Sequence, residues 1–355
     1  MNQPLQMSAM PMSLRNNHSQ TPAIGAVVTV LSLVAIVIYC SDLSETVDQL
    51  ERRVASRIES LGGTVVWKEN APNSDTEFNA SPGAAGLHAR AVLFLETDDS
   101  AYKYLKRLPY LKSLAIFQRV PASALAHVSK LAQLRYLKVD NCGLIDTELK
   151  SVSKLKMLNT LSIADNRVTD AGIERLAGLT NLSNLSLART QITDAGLREL
   201  SQLTSLEILV LTHTQTSDEG LKHLSELKNL YSLFLNETLV TDTGLKHLSG
   251  LKKLAGVYLR KTRITDTGVE HLSGLENLRS LDFSETQIGD AALEHLANLP
   301  NLKELSLSKT KITNEGLMKL KSFSHLISLT IYGTQTTAAA VEDLCESLPE
   351  CNIIF

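Results

Sequence analysis

The sequence predicts an α/β solenoid behind one N-terminal transmembrane helix, built from stacked units of a short strand, a turn and a helix with parallel strands. Three observations lead there. A motif recurs at a step of 24 residues: "LARTQITDAGL" (187–197), "LNETLVTDTGL" (235–245), "LRKTRITDTGV" (259–269) and "LSKTKITNEGL" (307–317). Within a unit, apolar alternation at Leu185 and Leu187 has the period of a strand, and Leu197 and Leu200 have the spacing of a helix face. A run of eighteen uncharged residues, Ala23 to Cys40, stands apart from the rest.

Residues 1–22 are polar with several Met and Pro, and read as a disordered tail. The run 23–40, "AIGAVVTVLSLVAIVIYC", would span roughly 27 Å as a helix at about 1.5 Å per residue, close to a hydrocarbon core. A cleaved signal peptide is one alternative, but the exit Ile38-Tyr39-Cys40-Ser41-Asp42 offers no small-x-small cleavage site. A lipid on Cys40 is another, and the large Tyr39 stands where a small residue is needed. An uncleaved anchor is therefore expected. The tail carries Arg15 and no acid, while Asp42, Glu45 and Asp48 follow the run, which orients the N-terminus to the cytoplasm and the remainder outside it. Arg52 and Arg53, further out, oppose that orientation.

Residues 41–107 read as an N-terminal cap. Val47, Leu50, Val54, Ile58 and Leu61 have helical spacing over 44–61, and Gly62-Gly63 end that helix. "TVVW" is a strand, 69–90 a loop rich in Asn, Ser, Pro, Gly and Ala, "AVLFLE" a second strand, and "AYKYLKRL" a short helix. Ten units follow over 108–346, starting at Leu108, Leu131, Leu155, Leu179, Leu203, Leu227, Leu251, Leu275, Leu299 and Phe323. Residues 347–355 end in the strand-like Ile353 to Phe355 and read as the C-terminal cap.

Each unit has the form LxxLxxLxLxxTxITDxGLxxLxx, which resembles the leucine-rich repeat family. Leu182, Leu185, Leu187, Thr190 and Ile192 fill that family's strand-and-turn frame in the unit starting at Leu179. The "TDxGL" half looks like the cysteine-containing and ribonuclease-inhibitor-like styles and their bacterial relatives. The resemblance implies a curved solenoid with strands on its concave face and helices on its convex face. It says little about function, because the family is a scaffold.

The repeat columns have a physical reading of their own. The column Cys142, Asn166, Thr190, Thr214, Thr238, Thr262, Thr286, Thr310 and Thr334 supplies side chains that bond backbone groups where the chain leaves each strand. Thr169, Thr193, Ser217, Thr241, Thr265 and Thr313 stand at expected helix N-caps, and Asp170, Asp194, Asp218, Asp242, Asp266 and Asp290 in the first helical turn favour the dipole. Gly172, Gly196, Gly220, Gly244, Gly268 and Gly316 are expected to let neighbouring helices approach, with Ala292 and Ala340 as the small exceptions. One unit cannot bury its own apolar face, so a constant repeat keeps the stack in register.

Catalytic and metal signatures are sparse. The Asp column places one acid per unit, without the clustered oxygens calcium needs. His223, His247, His271 and His295 lie one per unit on helices about 8–10 Å apart, too far to share a zinc, and read as packing residues with a minor pH response. Cys142 reads as a buried thiol, and Cys345 and Cys351 could pair if oxidised. No nucleophile elbow, Walker loop, HExxH or dinucleotide glycine pattern occurs, so neither an enzyme nor a cofactor is expected. A net charge of −3 and a pI near 6.3 give no basic surface for nucleic acid.

The residue between the two strand leucines is expected to be the most exposed on the concave face. In order it is Lys138, Ser162, Ser186, Val210, Phe234, Tyr258, Asp282, Ser306 and Thr330. Val210, Phe234 and Tyr258 are apolar on three consecutive units, with Ile208 on the same face and Arg260, Lys261, His213, Asn236 and Glu237 around them. An apolar centre with a polar rim suits a protein or peptide ligand. The expected function is a membrane-anchored protein-binding scaffold, with a passive surface spacer as the rival. An enzyme-complex adaptor is a remoter alternative, since no F-box segment is recognisable.

Overall fold

The computed structural model describes residues 54–60, 63–69, 87–94, 99–108 and 110–355. The expected tail (1–22) and anchor (23–40) lie outside the described residues. No helix among those described is long and apolar enough to cross a membrane. The helix expected over 44–61 is described only from Val54, and is helical through residue 59.

Thirteen strands form one sheet in chain order. Strands β1 (Gly63–Glu69) and β2 (Leu87–Phe94) pair antiparallel, and every later pairing is parallel. The parallel series continues as β3 (Ser113–Ile116), β4 (Tyr136–Lys138), β5 (Thr160–Ser162), β6 (Asn184–Ser186) and β7 (Ile208–Val210). It closes with β8 (Ser232–Phe234), β9 (Gly256–Tyr258), β10 (Ser280–Asp282), β11 (Glu304–Ser306), β12 (Ser328–Thr330) and β13 (Asn352–Ile354). Two cap elements differ from expectation. β2 begins at Leu87, inside the stretch 69–90 read as loop, because its backbone pairs Leu87 with Glu69 and Ala89 with Trp67 whatever the side chains. "AYKYLKRL", but for its last residue, lies within a 3-10 helix over Asp99–Arg107.

The middle residue of each three-residue strand points into a leucine core. Leu185, Leu209, Leu233, Val257 and Leu281 are at most 1% exposed, and the residues two further on, four leucines and Phe283, are buried with them. A register one residue off would turn this whole set to solvent. Helices such as Asp194–Leu200 and Asp218–Leu224 cover the core with Leu197, Leu200, Leu221 and Leu224. The N-terminal helix adds Val54, Ala55 and Ile58 to the same core, beside Tyr102 and Leu105. At the far end Val341 and Leu344 join it from the helix Ala338–Ser347.

Three residues beyond each of β4 to β11 stands a left-handed residue. Asn141, Asp165, Arg189, His213, Glu237, Lys261, Glu285 and Lys309 have φ of 53° to 60°. The conformation costs a non-glycine residue about 1–2 kcal/mol. It returns a backbone bond to the next unit: Arg189 N–H donates to Thr212 O, His213 to Asn236 O and Glu237 to Arg260 O, each at 2.8 Å. The threonine that follows donates its hydroxyl to the last strand leucine, as in Thr190 to Leu187 O at 2.6 Å and Thr214 to Leu211 O at 2.7 Å. Asn166 does more. Its Nδ2 donates to Val139 O, Ile163 O and Ala164 O, and its Oδ1 accepts from Cys142 N–H and Leu144 N–H.

The Asp column lies in the first helical turn, as expected, and does more besides. Each carboxylate reaches sideways into the next unit. Asp170 Oδ1 accepts Thr193 N–H at 2.9 Å and Oδ2 accepts the Thr193 hydroxyl at 2.6 Å. Asp146 with Thr169, Asp194 with Ser217, Asp218 with Thr241, Asp242 with Thr265 and Asp290 with Thr313 repeat the pair. The threonines do occupy N-caps, yet only Thr193, Thr313 and Thr337 accept a helix N–H there. The glycine column serves the same ladder. A Cβ on Gly172 or Gly196 would stand 2.5 Å from Oδ1 of the preceding unit's Asp, and the other members of the column meet the same carboxylate. Among the units that depart from the pattern is one in mid-stack, where Gly289 takes the threonine position and Ala292 the glycine position. There Asp266 keeps only the Gly289 N–H, at 2.6 Å, and the helix starts late, at Ala292.

Candidate protein-interaction surface

The outer face of the sheet carries the candidate site. Val210, Phe234 and Tyr258 fall in register on β7, β8 and β9. Parallel strands lie about 4.8 Å apart, so rings at equivalent positions stand face to face. Phe234 and Tyr258 stack with centroids 4.2 Å apart and planes 5° from parallel. Gly256 makes room for this. A Cβ there would sit 3.1 Å from Tyr258 Cε2, 3.2 Å from its hydroxyl oxygen and 3.2 Å from Ser232 Oγ, so Tyr258 lies back across its own strand.

The stack corrects the expected exposure. Phe234 and Tyr258 are each 6% exposed, not the most exposed residues of the face. Each ring covers its neighbour, and burial pushes the Tyr258 phenol above its ordinary value. Ile208 and Val210 are half-buried. Tyr231, just before β8, is 49% exposed, a position the strand period alone did not single out. The apolar feature is thus a ridge of two stacked rings with Val210 and Ile208 at one end and Tyr231 beside it.

The expected polar rim is tied up within the chain. Arg260 donates to Glu285 Oε1 from Nε at 3.1 Å and from Nη2 at 2.6 Å. Lys309 lies 3.7 Å from the same oxygen. Lys261 and His213 both approach Glu237 Oε2, at 3.2 and 3.5 Å. Asn236 Oδ1 accepts Arg260 N–H at 2.9 Å. The Arg260 and Lys261 contacts hold the Glu285 and Glu237 carboxyls below their usual range. Exposed pairs of this kind contribute about 0–1 kcal/mol each. They fix the rim's shape more than its stability.

Elsewhere the chemistry is structural. Cys142 is buried, its thiol donating to Ile116 O and Asp140 O at 3.2 Å and pushed up to about 12 by burial. Cys345 is exposed and Cys351 half-buried, both free thiols. His223, His247, His271 and His295 are all half-buried at helix edges, and burial holds His247 below its ordinary value. No group of His, Cys, Asp and Glu among the described residues could hold a metal ion. A cleft lined by Arg119, Pro121, Asn141, Ile145, Glu148 and Arg167 lies units away, where β3 to β5 leave the sheet, and pairs no nucleophile with a base.

A family model described as "Leucine-rich repeat region" matches residues 88–353. No curated protein matches the chain. An internalin (inlF) from Listeria monocytogenes is similar in structure, with 24% identity over 73% of this chain and 76% of that one and a TM-score of 0.57. An internalin C2 (inlC2) from the same organism shares 27% identity over 60% of this chain and 84% of its own, at a TM-score of 0.47. A leucine-rich repeat protein from Leptospira interrogans shares 21% over 71% and 80%, at 0.44. With the family model covering most of the sequence and the units stacked as described, the chain belongs to the leucine-rich repeat family.

Proposed function

We propose that the protein is a non-enzymatic scaffold that binds a protein or peptide on the concave, outer face of its sheet. The observation that carries this reading is the ridge of Phe234, Tyr258, Val210 and Ile208, with Tyr231 exposed beside it. The accessible apolar area comes from Tyr231, Val210 and Ile208, on a footing that the buried Phe234–Tyr258 stack holds rigid, and a rigid apolar surface with an aromatic side chain is the make-up of interaction hot spots. Most other outer positions are small and polar, such as Ser162, Ser186, Ser306 and Thr330. A passive spacer has no need of an apolar ridge among them. The run 23–40 is proposed to anchor the chain in a membrane as a single pass, with the N-terminus cytoplasmic and the repeats on the other side. Proximity labelling from the repeat end in the native cell tests that topology.

The binding reading is tested by panning a phage library of random peptides against the immobilised full chain. Enriched peptides are expected to bind a Val210→Asp, Tyr231→Asp double variant about ten-fold more weakly. Both positions are at least partly exposed, so the fold should survive, as circular dichroism will show. Peptides that bind the variant equally well would remove the ridge from the account, and a library with no enrichment would favour the spacer.

A further inference from the structure

The cleft where β3 to β5 leave the sheet encloses about 840 Å3 and has a cause in the sequence. The first unit, Leu108 to Leu131, is one residue short of the usual step, so the chain's exit from β3 does not match the exits that follow. From Arg167 to Gln335, the residue after the threonine column donates its N–H to the preceding unit, as Arg167 does to Leu144 O and Gln191 to Val168 O, each at 2.9 Å. Gly143 holds that position one unit earlier, and its N–H has no partner among the described residues. Val120 N–H donates to Cys142 O at 2.9 Å instead. Gly143 is exposed, at φ 73°, and has no side chain where the later units carry Arg, Gln, Leu or Lys. Arg119 lies across the gap: a Cβ on Gly143 would stand 3.4 Å from its Cγ and 3.6 Å from its Nε. On the other side Arg167 forms a parallel bridge with Ile145, at a strand separation of about 4.8 Å. Both arginines are exposed, and neither guanidinium has an ion pair or hydrogen bond among the described residues. The cleft's acids are engaged in part. Asp165 faces Arg189 at 3.6 Å, and Glu148 Oε2 accepts Ile145 N–H at 2.9 Å, which leaves Oε1 without a partner among the described residues. Ile145, 44% exposed, and Pro121 supply an apolar wall.

We infer that this cleft binds the free C-terminal residue of a peptide. The Arg119 and Arg167 guanidiniums and the Gly143 N–H take its carboxylate, Glu148 Oε1 accepts its amide N–H, and its side chain lies on Ile145 and Pro121. A guanidinium fork matches a carboxylate's two oxygens, and the backbone N–H adds a further donor that folding leaves unspent. Charge narrows the choice of anion. Two arginines beside Glu148, with Asp165 held by Arg189, suit one negative charge, whereas the second charge of a phosphate would meet the carboxylates. In a terminal residue the carboxylate, the amide N–H and the side chain all leave one carbon, which matches three kinds of group set around Gly143. An internal Asp or Glu does not bring them together in this way. The site is separate from the ridge on β7 to β9 and does not depend on it.

The test is a selection from random peptides displayed with free C-termini, against the immobilised full chain. Enriched peptides, made synthetically, are expected to bind about ten-fold more weakly once the terminus is amidated. They should lose a similar factor on an Arg167→Gln variant, whose fold is safe because Gln191, Gln215, Gln287 and Gln335 hold the same column. Arg119→Gln should act alike, and the two together should cost more than either. The Val210→Asp, Tyr231→Asp surface should bind these peptides unchanged. Equal binding of the amidated peptides, or equal binding to the Arg119→Gln, Arg167→Gln double variant, overturns the cleft site. So does a selection whose peptides depend only on Val210 and Tyr231, which would leave the ridge standing alone, and one that enriches no family at all.

Discussion

Asn166→Ala is expected to destabilise the repeat stack by about 2–6 kcal/mol, more than a like change at most other buried polar positions. The side chain closes five bonds at once. Losing it strands the Cys142 and Leu144 N–H groups, which Oδ1 accepts at 3.1 and 2.9 Å in a fully buried turn. Each unmatched buried donor costs about 1–3 kcal/mol. The carbonyls of Val139 and Ile163 lose this donor as well, while that of Ala164 keeps the Asn141 N–H. Thr190→Ala removes one bond, to Leu187 O, and should cost about 1 kcal/mol. Asn166→Asp keeps the acceptor but sets a carboxylate against three carbonyl oxygens, and should be as damaging as alanine. Denaturant titration followed by circular dichroism gives the ranking. Equal, small losses at Asn166 and Thr190 would contradict it.

Asp218→Ala should cost about 2–4 kcal/mol, by removing two charge-assisted bonds that join one unit to the next. Asp218 accepts the Thr241 N–H at 2.7 Å and its hydroxyl at 2.6 Å. Asp218→Asn should be milder, as in the last unit, where Asn314 Oδ1 still takes the Thr337 N–H at 2.9 Å. Gly244 gives a sharper form of the test. Its added Cβ would meet the Asp218 carboxylate. Gly244→Ala is therefore expected to be costly in the native background and much less so with Asp218→Ala already present, a coupling that a double-mutant cycle reads directly. Additive losses would mean that the glycine serves general helix approach instead. The unit with Gly289 and Ala292 has no hydroxyl for Asp266 and its helix begins late, whereas the last unit pairs Ala340 with Asn314 in place of the Asp and its helix starts at Ala338.

The parts of this fold that one unit specifies were legible in the sequence. Leucine alternation identifies which strand residues face the core, and the constant step of 24 identifies the stack. What a neighbouring unit imposes was not. Asp followed by a helix reads locally as a dipole effect, because its true partner lies 23 residues away on the next rung. Phe234 and Tyr258 were placed on the correct face, but a period of two says nothing of exposure when a second ring stands 4.2 Å off. The available signal was Gly256, a glycine in a strand, which marks close approach by another group. Most left-handed residues gave no warning, since Arg189, Glu237, Lys261, Glu285 and Lys309 belong to types that seldom adopt that conformation. The ladder of backbone bonds holds them there.

Amide hydrogen exchange on the full chain tests most directly whether the units act as one cooperative stack. The amides of Thr193, Ser217, Thr241, Thr265 and Thr313, each donated to an Asp of the preceding unit, are expected to exchange slowly and with similar protection, opening only when the stack itself unfolds. Exchange of these amides at the rate of exposed loop positions, or protection that varies independently from unit to unit, would contradict the account.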